Sequence, residues 1–461
     1  MNAAQKLSLS ALALGAIAAG CASPLPPKIE LEPERPNFLV IVADDQRFDT
    51  MEYMPRTQER IFNQGVTFDN AYVTTARCSP SRASILTGMY AHNHNVRLNS
   101  DPFDQETIVQ NLDEAGYYTG LVGKYVNTYP ASPEDPPLPE FDYWIGMTSG
   151  PDSAAYYDPT LNVNGTATPH TGYQTDILRD YAVKFIDQAS QQDDPFFLMF
   201  TPYAPHLPAR PAPGDDQLYP DLPPHEPPNF NPADMSGKPQ WMQELSFLAP
   251  DQIESINRDR KHQLQTLNAL DIAVETLLDE LADQGELDNT VIFYISDNGL
   301  FLGEHRLPIG KIYAYEESAR VPFAVRYPPL AAEPRRDETV VANIDIAPTI
   351  YDLAGLPPPD FVDGMSLRPF LQNDPNPEWR DYTLIEGWPT NVAYVGSSPP
   401  FQTIRAGQYE YTETEGDLAE LYDLAVDPYQ LQNQIASPDY TAILEQFQAY
   451  LTDARKTIPA P

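Results

Sequence analysis

Four short runs of unbroken apolar residues, each handing over to a charged or titratable side chain, constrain this 461-residue chain more than any other feature. Phe38 to Ala43 (FLVIVA) runs into Asp44-Asp45, and Val291 to Ile295 (VIFYI) runs into Ser296-Asp297-Asn298-Gly299. Tyr117 to Gly123 leads to Lys124, and Pro195 to Phe200 leads through Thr201-Pro202 towards His206. Runs this short, without polar alternation, read as strands covered on both faces, so the fold class is α/β with a mainly parallel sheet flanked by helices. In open sheets of this kind, chemistry gathers outside the carboxyl ends of the strands. Between these runs, Glu254 to Asp283 repeats apolar residues at helical spacing (Ile256, Leu264, Leu267, Leu270, Val274, Leu277, Leu281) and predicts a core-packing helix.

Two regions depart from that pattern. Thr201 to Pro239 carries twelve prolines and cannot form a regular element. It reads either as an ordered loop near the mouth of a site or as a solvated insertion. After about residue 375, Tyr382 to Ile385, Thr403 to Arg405 and Tyr409 to Thr412 predict short antiparallel strands, with a helix at about Tyr440 to Ala454. The organisation expected is a signal at 1–20, a Pro-rich tether at 21–36, a catalytic domain at 37–375 and a small C-terminal α+β domain at 376–461.

The first twenty residues predict export. Lys6 precedes Leu7 to Gly20, an apolar stretch of 14 residues, too short to span a bilayer and the right size for a signal core. The boundary AAGC resembles a bacterial lipobox, which would lipidate Cys21 and hold the chain to a membrane on its periplasmic or cell-surface face. Ala18 stands where leucine is usual, and an ordinary signal cut at small residues is the other reading. The balance of 28 Lys+Arg against 66 Asp+Glu gives a net charge of −38, which argues against nucleic acid and against polybasic docking to anionic lipid.

Cys78 opens the stretch Cys78-Ser79-Pro80-Ser81-Arg82-Ala83-Ser84-Ile85-Leu86-Thr87-Gly88. Pro80 suits the first turn of a helix, which would put Cys78 at a helix start, where backbone N–H groups favour an anion. Arg82, one turn on, would be a bidentate donor for a tetrahedral oxyanion. A buried structural cysteine is the plainer reading. Asp44-Asp45 and Asp297-Asn298, carried on different strand ends, offer hard oxygens that suit Ca²⁺ or Mg²⁺ better than zinc, although each pair alone could be a cap or turn.

Cys-x-Pro-x-Arg followed by Leu-Thr-Gly resembles the signature of the formylglycine-dependent sulfatases. The likeness extends over nearly the whole mature chain, through Gly123-Lys124-Tyr125, Pro205-His206, Ser296-Asp297-Asn298-Gly299, Lys311 and Leu421-Tyr422-Asp423-Leu424. Asp44-Asp45-Gln46, Ala91-His92-Asn93-His94-Asn95-Val96 and Gly123-Lys124-Tyr125-Val126-Asn127 are most similar to the branch of N-acetylglucosamine-6-sulfatases and extracellular heparan endosulfatases. The resemblance implies an alkaline-phosphatase-like fold, a sulfated carbohydrate substrate, and formylglycine made from Cys78 by a separate maturation enzyme. It implies Ca²⁺ (or Mg²⁺) held by Asp44, Asp45, Cys78, Asp297 and Asn298, with Arg82, Lys124 and Lys311 on the sulfate and His206 near the leaving oxygen. Val126 stands where many members carry a histidine, with Asn127 a candidate substitute. His305 and Arg306 would lie near the entrance or serve the loop, and His92 and His94 would be turn or supporting residues. Phosphonate or phosphate ester hydrolysis, or carbohydrate binding with Cys78 unconverted, are the competing functions.

Overall fold

The computed structural model describes residues 35–148, 156–392 and 396–457. The export signal, Cys21 and the tether before Arg35 lie outside them. Ten strands build the main sheet: β1 (Asn37–Ala43), β2 (Val66–Tyr72), β3 (Tyr118–Gly123), β4 (Tyr143–Gly146), β5 (Thr160–Val163), β6 (Thr166–Pro169), β7 (Phe196–Thr201), β8 (Thr290–Ser296), β9 (Phe323–Arg326) and β10 (Arg335–Ala342). Their order is β10-β2-β9-β8-β1-β7-β3-β4-β5-β6. Pairing is parallel from β8 through β1, β7 and β3 to β4, and between β2 and β10. β9 runs antiparallel to both neighbours, and β5 and β6 close the far edge as an antiparallel hairpin.

All seven residues of β1 are buried, because both faces of the sheet are covered. Phe38, Val40 and Val42 enter one apolar cluster, with Ile108 and Leu112 of the helix Ile108–Glu114 and Ile350 of the helix Ile346–Ala354. Leu39, Ile41 and Ala43 enter the opposite cluster, under the helices Gln174–Ala189 and Pro250–Asp283. The alternation follows from the two-residue period of a strand. The 34-residue helix Pro250–Asp283 starts four residues before the predicted Glu254, with Pro250 in its first turn, where a missing N–H costs nothing. Its seven predicted core residues are all buried.

The C-terminal strands are β11 (Thr383–Gly387), β12 (Thr390–Val392), β13 (Gly396–Ser398), β14 (Phe401–Ala406), β15 (Tyr409–Thr414) and β16 (Glu420–Asp423). β11-β14-β15-β16 form an antiparallel sheet, and β12 pairs with β13. The helix Thr441–Ala454 packs Phe447 and Leu451 against Leu384, Ile404, Tyr411 and Leu421. Ile385, Phe401 and Tyr422 join Tyr72, Phe301 and Tyr313 in a further cluster, which fastens the small sheet to the body. The proline-rich segment holds one 3-10 turn, Asp215–Gln217, between Thr201 and Gln240. It is tied down by Lys238, which donates to Tyr422 Oη at 2.7 Å and Gln430 O at 2.6 Å.

Candidate active site

Register brings the chemistry-bearing residues to one edge. Ala43 lies opposite Ser296 and Gly123 opposite Thr201, so Asp44, Asp297 and Lys124 leave their strands side by side. Gly123 has φ +127°, and a Cβ there would stand 2.1 Å from Thr201 O, so only glycine lets β3 pass so close to β7. Asp45 turns back with φ 66°, a conformation aspartate tolerates, and its N–H donates to Asp297 Oδ1 at 3.1 Å. Asn298 Nδ2 donates to Asp45 Oδ1 at 2.6 Å.

Cys78 is the first residue of the helix Cys78–Thr87, as predicted, and Gly88 ends that helix in the left-handed region. The thiol is 3.8 Å from Asp44 Oδ1 and 2.9 Å from Lys311 Nζ. Lys311 also bonds Asp45, and Lys124 Nζ donates to Asp44 Oδ2 at 2.6 Å. His206 Nε2 lies 3.5 Å from Asp45 Oδ2, and its ring stacks on Tyr203 with centroids 4.5 Å apart. The five ligand candidates and the four substrate-side candidates thus converge.

Arg82 differs from expectation. Its Nε donates to Asp297 Oδ2 at 2.8 Å and its Nη1 to Lys124 O at 2.8 Å. Among the described residues Nη2 has no hydrogen-bond partner, and it lies 3.5 Å from Asp44 Oδ2. A fully buried guanidinium requires a countercharge, so the fork grips a carboxylate and is not free to take an anion bidentately.

Burial pushes the Asp44 carboxyl up, but Lys124, His206 and Arg82 outweigh it and hold the group below the usual carboxylate range. Asp45 is likewise held low against burial by Lys311 and His206. Burial pulls His206 down, yet Asp45 and Asp44 raise it above an ordinary histidine.

The donor set fits a hard divalent cation. Asp44, Asp45, Cys78 and His206 each offer a ligand atom, all within 4.8 Å of one another. Asn298 Oδ1 is buried without a hydrogen-bond partner among the described residues, and an orphaned acceptor beside carboxylates is what an oxygen-liganded cation satisfies. Asp297 already uses one oxygen on the Asp45 N–H and the other on Arg82.

The remaining histidines separate by role. His94 accepts from Val96 N at 3.1 Å and meets Ser84 Oγ at 3.0 Å, and burial pushes it down to about 3, so it supports the helix that carries Cys78. His92 Nδ1 sits 2.7 Å from Glu386 Oε2. His305 is fully buried against Tyr315, and Arg306 holds the carbonyls of Pro232, Ala233 and Leu245. Both therefore secure the loop. Val126 is buried in the core, and Asn127 pairs with Ser79 Oγ at 3.0 Å. Sequence reasoning passed over Asn99, whose Oδ1 accepts the Ser79 N–H at 3.1 Å, and Arg77, a buried cation beside Cys78. The only sequence signal for Arg77 is its place directly before the cysteine.

Comparison with known proteins bears on this arrangement. Residues 36–356 match the sulfatase family model, and residues 303–457 match the model described as N-sulphoglucosamine sulphohydrolase, C-terminal. The chain is 35% identical to the extracellular sulfatase SULF-1 homolog of Drosophila melanogaster over 79% of its own length, but it spans only 33% of that protein. It is 33% identical to the N-acetylglucosamine-6-sulfatase of Capra hircus, covering 88% of this chain and 81% of that one. A solved structure in complex with its substrate, D-glucosamine-2-N,6-O-disulfate, superposes with a TM-score of 0.82 at 26% identity, over 92% of this chain and 98% of that one.

Proposed function

The chain belongs to the sulfatase family, and on that premise we propose that it cleaves the 6-O-sulfate of N-acetylglucosamine-like units in a sulfated carbohydrate, with formylglycine made from Cys78 and a bound Ca²⁺ or Mg²⁺. The observation that carries the reading is Cys78 at a helix start, between Lys311 and the carboxylates Asp44 and Asp45 that follow β1. Formylglycine, as its hydrate, would supply one hydroxyl to attack sulfur and a second to expel the sulfate afterwards. A divalent cation on Asp44, Asp45, Asp297 and Asn298 would supply positive charge beside that nucleophile.

The chain's own residues do the rest. Each lysine ammonium has three donors, so Lys124 and Lys311 keep N–H groups for sulfate oxygens while holding Asp44 and Asp45. Arg82 contributes its charge and orients Asp297. His206 donates from Nδ1 to Leu207 O, which leaves Nε2 to carry a proton to the leaving oxygen. We also propose export and anchoring through a lipid on Cys21, supported by the apolar run and the AAGC boundary. Radiolabelled palmitate incorporated by the native chain and lost in Cys21→Ser tests it.

The decisive assay uses protein co-expressed with a formylglycine-generating enzyme. Exhaustive chelation is expected to abolish hydrolysis of N-acetylglucosamine 6-sulfate, and added Ca²⁺ to restore it. Full turnover with metal absent by elemental analysis would overturn the metal assignment. Faster turnover of a phosphonate ester than of the sulfate would replace the substrate class.

A further inference from the structure

A cleft of about 540 Å³, within the size range of small-ligand pockets, is lined by Arg97 and by residues of the C-terminal sheet. Two bonds tie its wall to the segment around Cys78. Glu386 N donates to Thr74 O at 2.8 Å, and Asn99, two residues beyond Arg97, receives the Ser79 N–H. Trp388 and Phe401 give the cleft aromatic surface. The Arg97 guanidinium stands 5.4 Å from the centroid of the Trp388 ring, and its backbone N–H is fixed on Asp101 Oδ2 at 2.8 Å.

Arg97 is only partly buried, and its side chain makes no hydrogen bond or ion pair among the described residues, so its guanidinium keeps donors for a ligand in the cleft. Of the two arginines that line the cleft, Arg455 is paired with Glu413 at 2.7 Å, whereas Arg97 has no salt bridge among the described residues; Glu386 is held on His92 Nδ1, and Glu415 is exposed at the rim. The Arg77 guanidinium lies in the field of both Cys78 and Asp101, the residue that fixes the Arg97 N–H.

We propose that this cleft is a subsite for the sugar unit adjoining the one that carries the scissile sulfate, and that it selects a unit bearing a carboxylate or sulfate, held by Arg97 against the face of Trp388. The inference rests on the sulfatase reading. An Arg poised over an aromatic face can pair an anion while the ring covers the apolar face of a pyranose.

The test is calorimetric binding of disaccharides that lack the 6-O-sulfate to the full chain, which needs no turnover. The probes are a hexosamine joined to a uronic acid, the methyl ester of that uronate, and an otherwise uncharged hexosamine disaccharide carrying a single N-sulfate. The acid or the N-sulfated probe is expected to bind at least tenfold more tightly than the ester, which also identifies the anion as carboxylate or sulfate. Arg97→Ala should erase that preference, and Trp388→Ala should weaken all three probes. Thermal melts of both variants confirm folding. Equal affinity for acid, ester and N-sulfated probe, or a preference that survives Arg97→Ala, would overturn the subsite. Intact selective binding with no hydrolysis of any 6-sulfate by the converted protein would strike the sulfatase reading alone.

Discussion

At the scale of single residues, Cys78 decides between catalysis and mere structure. Cys78→Ala cannot become an aldehyde, yet Lys124, Lys311 and the carboxylates remain in place. Turnover should fall by at least about a thousandfold while affinity for the sulfated sugar changes far less, because covalent chemistry is lost and not one contact. Cys78→Ser is the sharper probe where the maturation enzyme accepts only cysteine. Its single hydroxyl could take up sulfate but could not expel it, so peptide mass should increase by one sulfo group after substrate is added. Sustained turnover by the alanine variant would return Cys78 to a helix-start role. Most residues at this site were legible because they follow an apolar run or lie inside a short signature, whereas Lys311 came only from the family resemblance. Their pairings were not. Asn298 to Asp45 and Arg82 to Asp297 span separations of 253 and 215 residues, and only the register of the sheet brings them together. Arg82 shows the consequence, since its type suggested a free anion fork whereas burial commits it to a carboxylate.

Among elements, the long helix Pro250–Asp283 and the short helix Glu316–Ala319 make contrasting predictions. Leu270 is 0% exposed beneath the sheet, so Leu270→Ala should cost about 3 kcal/mol in chemical denaturation, from lost transfer energy plus the cavity left behind. Glu317 is instead a buried liability. Burial first, then neighbouring Glu304, push its carboxyl up to about 7, with Arg47 only partly offsetting them. A raised acid pKa means that the native chain keeps a proton which the unfolded chain releases, so stability is lost as pH climbs from about 4.5 to about 7. Glu317→Gln keeps an acceptor for Asn229, whose Nδ2 donates at 2.7 Å, and removes the titration. The variant should gain melting temperature over the wild type at pH 8, and the gain should shrink towards pH 5. A gap that does not move with pH would contradict it. The continuous strands were readable because burial on both faces writes an unbroken apolar run, and the helix Pro250–Asp283 because its buried residues recur at helical spacing. β2 and β16 were not, because Asp69 and Asn70 interrupt the first, and the second buries Glu420 and Asp423 in polar contacts.

Across the whole molecule, the net charge of −38 sets how large substrates arrive. A field of that sign repels a long polyanion, whereas Lys124, Lys311 and Arg97 act on one or two anionic groups within a few ångströms. The two effects have different ranges, and salt separates them. At about 0.01 M ionic strength the Debye length is about 30 Å, so the whole acidic surface is felt by a polymer; at 0.15 M it falls to about 8 Å and mainly the nearest charges count. Short, terminally sulfated chains should therefore be hydrolysed faster per cleavable sulfate than a long, highly sulfated polymer at low salt. Raising NaCl should narrow that gap several-fold, because the repulsion felt by the polymer is screened first. The measurement is kcat/KM for a tetrasaccharide and for its parent polymer, compared across an ionic-strength series on one enzyme preparation. A polymer cleaved faster than its oligosaccharides at low salt would mean that local cations dominate the approach, and the acidic surface would then play no part in choosing substrate length.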